Sequence, residues 1–171
     1  MKKLHQDDYF ETRSPAESRL MYWMTEHSLT LMRISLGLVF LIFGVLKFIP
    51  DASPAENLSV RTLERLSFGL IEGDVARIVI AVMEVLVGIS LLTGLYLKLG
   101  VILLGIVLIG IMAPLALFTG ELFSGPRHAP TLEAQYVIKD IVLATAGIHI
   151  ALRVRGAKMV VDEGPGRETR V

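Results

Sequence analysis

The chain has 171 residues, 17 basic and 17 acidic, so its formal charge is zero, and 53% of it is hydrophobic with a mean hydropathy of +0.59. That length fits one domain, and the even charge gives no basic surface for nucleic acid. The absence of cysteine excludes thiol chemistry, disulfides and iron–sulfur clusters, and the four histidines, His5, His27, His128 and His149, have no metal-ligand spacing, so no metal site is expected.

The apolar residues gather into four runs, each close to the ~20 residues that cross a bilayer. Residues 1–28 precede the first run. Within them Ser14-Pro15-Ala16-Glu17 reads as a helix start, with Ser14 as cap and Glu17 reaching back. Leu20, Trp23 and Met24 then share a face. Two readings stand: a short amphipathic helix on the membrane surface over residues 15–25, or a polar extension of the first membrane helix.

The first span covers residues 29–49, with an apolar centre between Arg33 and Lys47. A signal peptide does not fit, because the leader is too long and no small-x-small cleavage site follows. Arg33, Gly37, Phe40, Gly44 and Lys47 recur at helical spacing as one stripe. Its glycines would let a neighbouring helix approach closely. Arg33 is expected to reach the cytoplasmic head groups. Residues 50–74 form a polar connection in which Ser53-Pro54-Ala55-Glu56 repeats the capping pattern. Leu58, Leu63, Leu66, Leu70 and Ile71 predict a short amphipathic helix there.

The second span, 75–95, is interrupted by Arg77 and Glu84, which share a face with Gly88. A tight turn around Tyr96, Leu97 and Lys98 leads to the third span, 99–119, which is uncharged and should kink at Pro114. The loop at 120–133 is broken at Gly125-Pro126 and Ala129-Pro130, and Thr131 is placed to cap the fourth helix. The fourth span, 134–152, puts Gln135 and Lys139 on one face and Asp140 with Tyr136 on another. A flexible tail occupies 155–171. The sequence therefore predicts an all-α protein, a four-transmembrane-helix bundle over residues 29–154 with short amphipathic surface helices. Ten lysines and arginines fall on the side of the termini and the 96–98 turn, against three in the opposite loops. Both termini are accordingly expected in the cytoplasm. No GxxxG lies within a span, so dimerisation has no motif behind it.

The charges inside the spans are the candidate functional residues. Lys47, Glu84, Lys139 and Asp140 all fall in the outer half of the bilayer, with Glu84 about 13 Å from the outer end of its span. Two cations and two carboxylates sum to zero, as a mutually paired buried cluster requires. Gln135 joins them as a candidate pocket residue. A purely structural role stays open: Lys47 could snorkel to the interface, and Lys139 with Asp140 could clamp helices together. Glu84 is too deep and too short to snorkel. His149 is expected to hydrogen-bond a neighbouring helix.

These residues resemble those of the DoxX-like family of small four-helix membrane proteins. The resemblance is carried by Leu31-Met32-Arg33-Ile34-Ser35-Leu36-Gly37 with Phe43-Gly44-Val45-Leu46-Lys47-Phe48, and by Glu84-Val85-Leu86-Val87-Gly88 with Leu92-Thr93-Gly94. Pro114 with Leu117-Phe118 and Tyr136-Val137-Ile138-Lys139-Asp140 complete it. The GxxK, E and KD positions look similar to a branch near the RclC-type reactive-chlorine-resistance proteins. The resemblance implies a multi-pass protein of the bacterial inner (plasma) membrane, associated with oxidative-stress defence or with quinone-linked thiosulfate oxidation. Three functions follow from it and from the charges. The first is a non-catalytic component of envelope redox homeostasis, with protein partners in a membrane redox complex. The second is an oxidoreductase subunit whose charged pocket holds a quinone and moves its protons. The third is a small-solute carrier, for which no inverted repeat is visible. The chain supplies no electron carrier, so it is not expected to act as an enzyme alone.

Overall fold

The structure, a computed structural model, describes residues 15–53 and 55–157. The expected cap Ser14, the basic residues Lys2, Lys3, Arg13, Lys158, Arg167 and Arg170, and the tail from 158 onward lie outside the described residues. Among the described residues every regular element is helical. The elements are α1 (Pro15–Leu46), α2 (Glu56–Leu66), α3 (Gly73–Thr93), α4 (Leu97–Met112), α5 (Pro114–Leu117), α6 (Thr119–Leu122), a 3₁₀ turn (Pro126–His128) and α7 (Leu132–Val154).

Three stretches are long and apolar enough to cross a membrane: Ala16–Leu46, Gly73–Thr93 and Leu97–Leu117. Together they make this a multi-pass membrane protein, and their outward residues Leu38, Ile42, Ile78, Leu86, Ile102 and Ile109 are exposed, as lipid-facing side chains must be. The fourth long helix, α7, spans 23 residues and packs against α4 and α1.

α1 settles the question left at the N-terminal segment. It runs unbroken for 32 residues, about 48 Å at 1.5 Å per residue, well beyond the ~30 Å of a hydrocarbon core. The polar segment is thus an extension of the first long helix. No breaker occurs between Pro15 and Leu46 to end it, and Trp23 stacks on His27 at 4.8 Å one turn later.

α1 and α3 are the most closely packed pair. A Cβ at Gly88 would lie 2.7 Å from the Leu41 backbone nitrogen, and one at Gly44 would lie 2.9 Å from the Glu84 Cβ. The two glycines let the backbones approach to a distance that any side chain would prevent. α3 ends at Gly94, whose φ of 76° closes the helix in the left-handed region, and Tyr96 adopts φ 50° to reverse the chain. The Arg33 guanidinium lies over Gly94, where a cation meets the negative end of α3.

Pro114 breaks the third long helix after Met112, with Ala113 still right-handed, so α5 continues the same course. Thr131 caps α7 as expected, accepting from the Ala134 backbone N–H at 3.2 Å. The corresponding expectation for α2 fails. Its N-cap is Ala55, without a side-chain cap, and Ser53 supplies only its backbone carbonyl to the Glu56 N–H. The apolar face predicted to extend through Leu70 also stops short. α2 ends at Leu66, Phe68 and Gly69 turn left-handed, and Leu70 is left 86% exposed. Glu64 then reaches across and accepts the Gly73 N–H at the start of α3, at 2.9 Å.

Two apolar clusters organise the interior. One joins Leu36, Phe40, Leu91, Leu104 and Ile150 between the four long helices. The other joins Leu58, Phe118, Leu122, Ala134 and Val137 beneath α2.

Candidate functional site

Lys47 stands one residue past the end of α1, yet it is only 5% exposed. Its ammonium points back into the bundle and donates to both carboxylate oxygens of Glu84, at 2.7 and 2.6 Å. Gly44, one turn before Lys47, makes this reach feasible by bringing α1 against the Glu84 stem. Glu84 is 3% exposed, so the pair is desolvated on both sides and neither member is free to reach water. Lys47 does not snorkel.

Arg77 adds a second layer that the sequence placed on the right face but not in the site. It is 8% exposed. Its guanidinium donates to the Lys47 backbone carbonyl at 2.9 Å and to Asp74 at 2.7 Å. Glu56, on the first turn of α2, lies 3.6 Å from the Arg77 Nε, and its second carboxylate oxygen is buried without a hydrogen-bond partner among the described residues. Arg77 thereby ties together the end of α1, the start of α2 and the start of α3. Its signal in the sequence was its seven-residue spacing from Glu84, two helical turns along one face.

A cavity of about 420 Å³ opens beside the ion pair. It lies where the two apolar clusters meet, since Phe40 and Val107 of one and Leu58 and Val137 of the other both line it. α2 roofs it with Ser59, Thr62 and Leu63, and Lys47, Glu84 and Asp140 supply the charges in its wall. Phe43, Ile106 and Ile109 belong to the same lining and are exposed. The cavity is therefore open along the helix flanks.

The four-charge neutral cluster expected from depth alone does not assemble. Lys47 and Glu84 pair, and Asp140 lines the same cavity. Lys139 instead turns outward over the Tyr136 ring, 5.5 Å from its centroid. Consecutive residues on a helix point about 100° apart, and the rotational setting of α7 turns Asp140 to the cavity and leaves Lys139 exposed. Gln135 is exposed and reaches the Pro130 carbonyl at 3.4 Å. His149 is half-buried and makes no hydrogen bond with any described residue.

Asp140 is half-buried, and no described residue donates a hydrogen bond or an ion pair to it. Two hydroxyls of the lining are committed elsewhere: Ser59 donates to the Ala55 carbonyl at 2.8 Å, and Thr62 donates to that of Leu58 at 2.6 Å. The cavity is thus mainly apolar, with one satisfied ion pair, one carboxyl without a hydrogen bond, and the hydroxyl-bearing Ser53 and Tyr136 also in its lining.

α2 is held over the cavity by a second, exposed pair. Arg61 donates through both terminal nitrogens to Glu121, at 2.6 and 2.7 Å, and its guanidinium stacks 4.8 Å from the Phe118 ring. The hydrogen bonds from Arg61 hold the Glu121 carboxyl below its usual range, and those to Glu121 raise the Arg61 guanidinium.

The DoxX family model matches residues 28–120, a stretch that contains Lys47, Arg77 and Glu84 and ends before α7. No curated protein and no solved structure matches the chain.

Proposed function

The chain belongs to the DoxX family, and from that membership and the cavity we propose a ligand-binding component of envelope redox or oxidative-stress homeostasis in the bacterial inner membrane. In this reading α7 is a fourth span, because its 23 residues reach about 34 Å and it packs alongside α1 and α4. Both termini are cytoplasmic, which puts α2, the ion pair and the cavity toward the outer face. The protein acts by binding rather than as an enzyme alone.

One observation carries the reading: a mainly apolar cavity of about 420 Å³ with a few converging polar groups. Such a combination marks small-molecule sites generally. Its flank opening favours an amphiphile that arrives through lipid. A buried ion pair in its wall is a costly feature for a membrane helix to retain for packing alone.

Purification in native-lipid discs followed by extraction and mass spectrometry tests this. About one bound amphiphile per chain is expected, and it should disappear when Ser59→Trp fills the roof of the cavity. A strain lacking the protein should become more sensitive to hypochlorite and be rescued by the parent but not by that variant. An intact protein that carries no amphiphile would remove the reading. A second reading, a membrane subunit of a quinone-linked oxidoreductase, is favoured by the same apolar lining beside a lysine and a carboxyl. It predicts that the extracted molecule is a quinone. Transport of a small solute would instead appear as vesicle flux dependent on Glu84.

A further inference from the structure

The charges around the cavity do not balance. Lys47 is spent on Glu84, with two short bonds to the two carboxylate oxygens. Arg77 is turned away toward the Lys47 carbonyl, Asp74 and Glu56. Lys139 points outward over Tyr136. The Ser59 and Thr62 hydroxyls are taken by their own helix. Among the described residues this leaves Asp140 as the one charged group in the cavity wall without a hydrogen bond or ion pair, and it shares the field of Lys47 with Glu84, so the wall holds one cation against two carboxylates.

Resting on the reading of this cavity as a ligand site, we propose that its occupant is a hydrophobic cation, with the positive head on the Asp140 carboxylate and the apolar body against Phe40, Phe43 and Val107. An unpaired carboxylate in low dielectric is stabilised most by a cation brought to it. The aromatic rings of Phe40 and Phe43 belong to the same lining, and ring faces attract cations and repel anions. The apolar walls and flank opening suit a cation whose charge is spread over, or shielded by, hydrocarbon, since such ions partition into a bilayer. An anionic head would face Asp140 and Glu84 together with no free cation to meet it.

The test uses the full chain in lipid discs, with empty discs subtracted, and two probes of nearly the same shape and opposite charge, tetraphenylphosphonium and tetraphenylborate, beside a neutral decyl-benzoquinone. Saturable phosphonium binding is expected, with no saturable borate binding. Asp140→Asn should weaken the phosphonium by about tenfold or more, and Asp140→Glu should largely restore it, with both variants melting like the parent. The comparison of the two ions on the parent protein decides the charge preference even if a variant fails to fold. Borate or quinone binding as tightly as the phosphonium, or phosphonium binding unchanged in Asp140→Asn, would overturn the inference. Saturable quinone without phosphonium would overturn it while leaving the cavity a ligand site. If none of the three binds, both readings fall together.

Discussion

Lys47 and Glu84 stand 37 residues apart in the chain and meet at hydrogen-bonding distance inside the bundle. Removing either partner leaves the other charge buried without compensation, which typically costs about 3–5 kcal/mol. Glu84→Ala is therefore expected to lower the denaturation midpoint in detergent by far more than Lys47→Arg, which keeps the charge. The double variant Lys47→Met, Glu84→Met should be more stable than either single methionine variant. A double variant no better than its worse single would mean that the pair does not act as a unit. The sequence made Glu84 legible through charge type and depth, because it is too deep and too short to snorkel, whereas Lys47, near the end of its span, read equally well as an interfacial anchor. It did not distinguish Asp140 from Lys139, since depth is nearly the same for neighbours and only the rotational setting of α7 separates them.

At the scale of elements, glycines in the long helices divide by what faces them. Gly88 meets the Leu41 backbone, where a Cβ would fall 2.7 Å from nitrogen, whereas Gly105 has nothing within 4 Å. Gly88→Ala should force α1 and α3 apart and destabilise by about 1–3 kcal/mol, while Gly105→Ala should be neutral or gain up to about 1 kcal/mol from helix propensity. Equal melting of the two variants would contradict the close α1–α3 approach. The stripe of Gly37 and Gly44 announced that approach in the sequence, but not which helix would fill it. The continuity of α1 was not legible either: an amphipathic stretch followed by an apolar one fits one helix or two, and only the lack of a breaker decides. The end of α2 escaped the pattern because leucine spacing continued past Leu66, while left-handed Phe68 and Gly69 redirected the backbone.

For the whole molecule, the four apolar runs gave the number and order of the long helices, and the structure adds how they surround one cavity. The proposed orientation rests on lysine and arginine placement, and the lack of native cysteine makes it simple to test. Asn57→Cys should react with a membrane-impermeant maleimide from the outer side of intact spheroplasts. Glu26→Cys should react only after lysis, and the reverse pattern would invert the topology and place the cavity near the inner face. The roof of the cavity remained hidden in the sequence, because it depends on Arg61 meeting Glu121 across 60 residues, a contact between surface charges with no periodic signature. The unbroken course of α1 has a mechanical consequence. One continuous helix runs from the Lys47 end of the bundle past Trp23, about 36 Å at 1.5 Å per residue, and glycines seat it against α3 at Gly37 and Gly44. Tilting that helix by about 10° around Gly44 would carry Trp23 through roughly 5 Å, so a molecule wedging the outer helices apart would be felt as a swing of the stem on the far side.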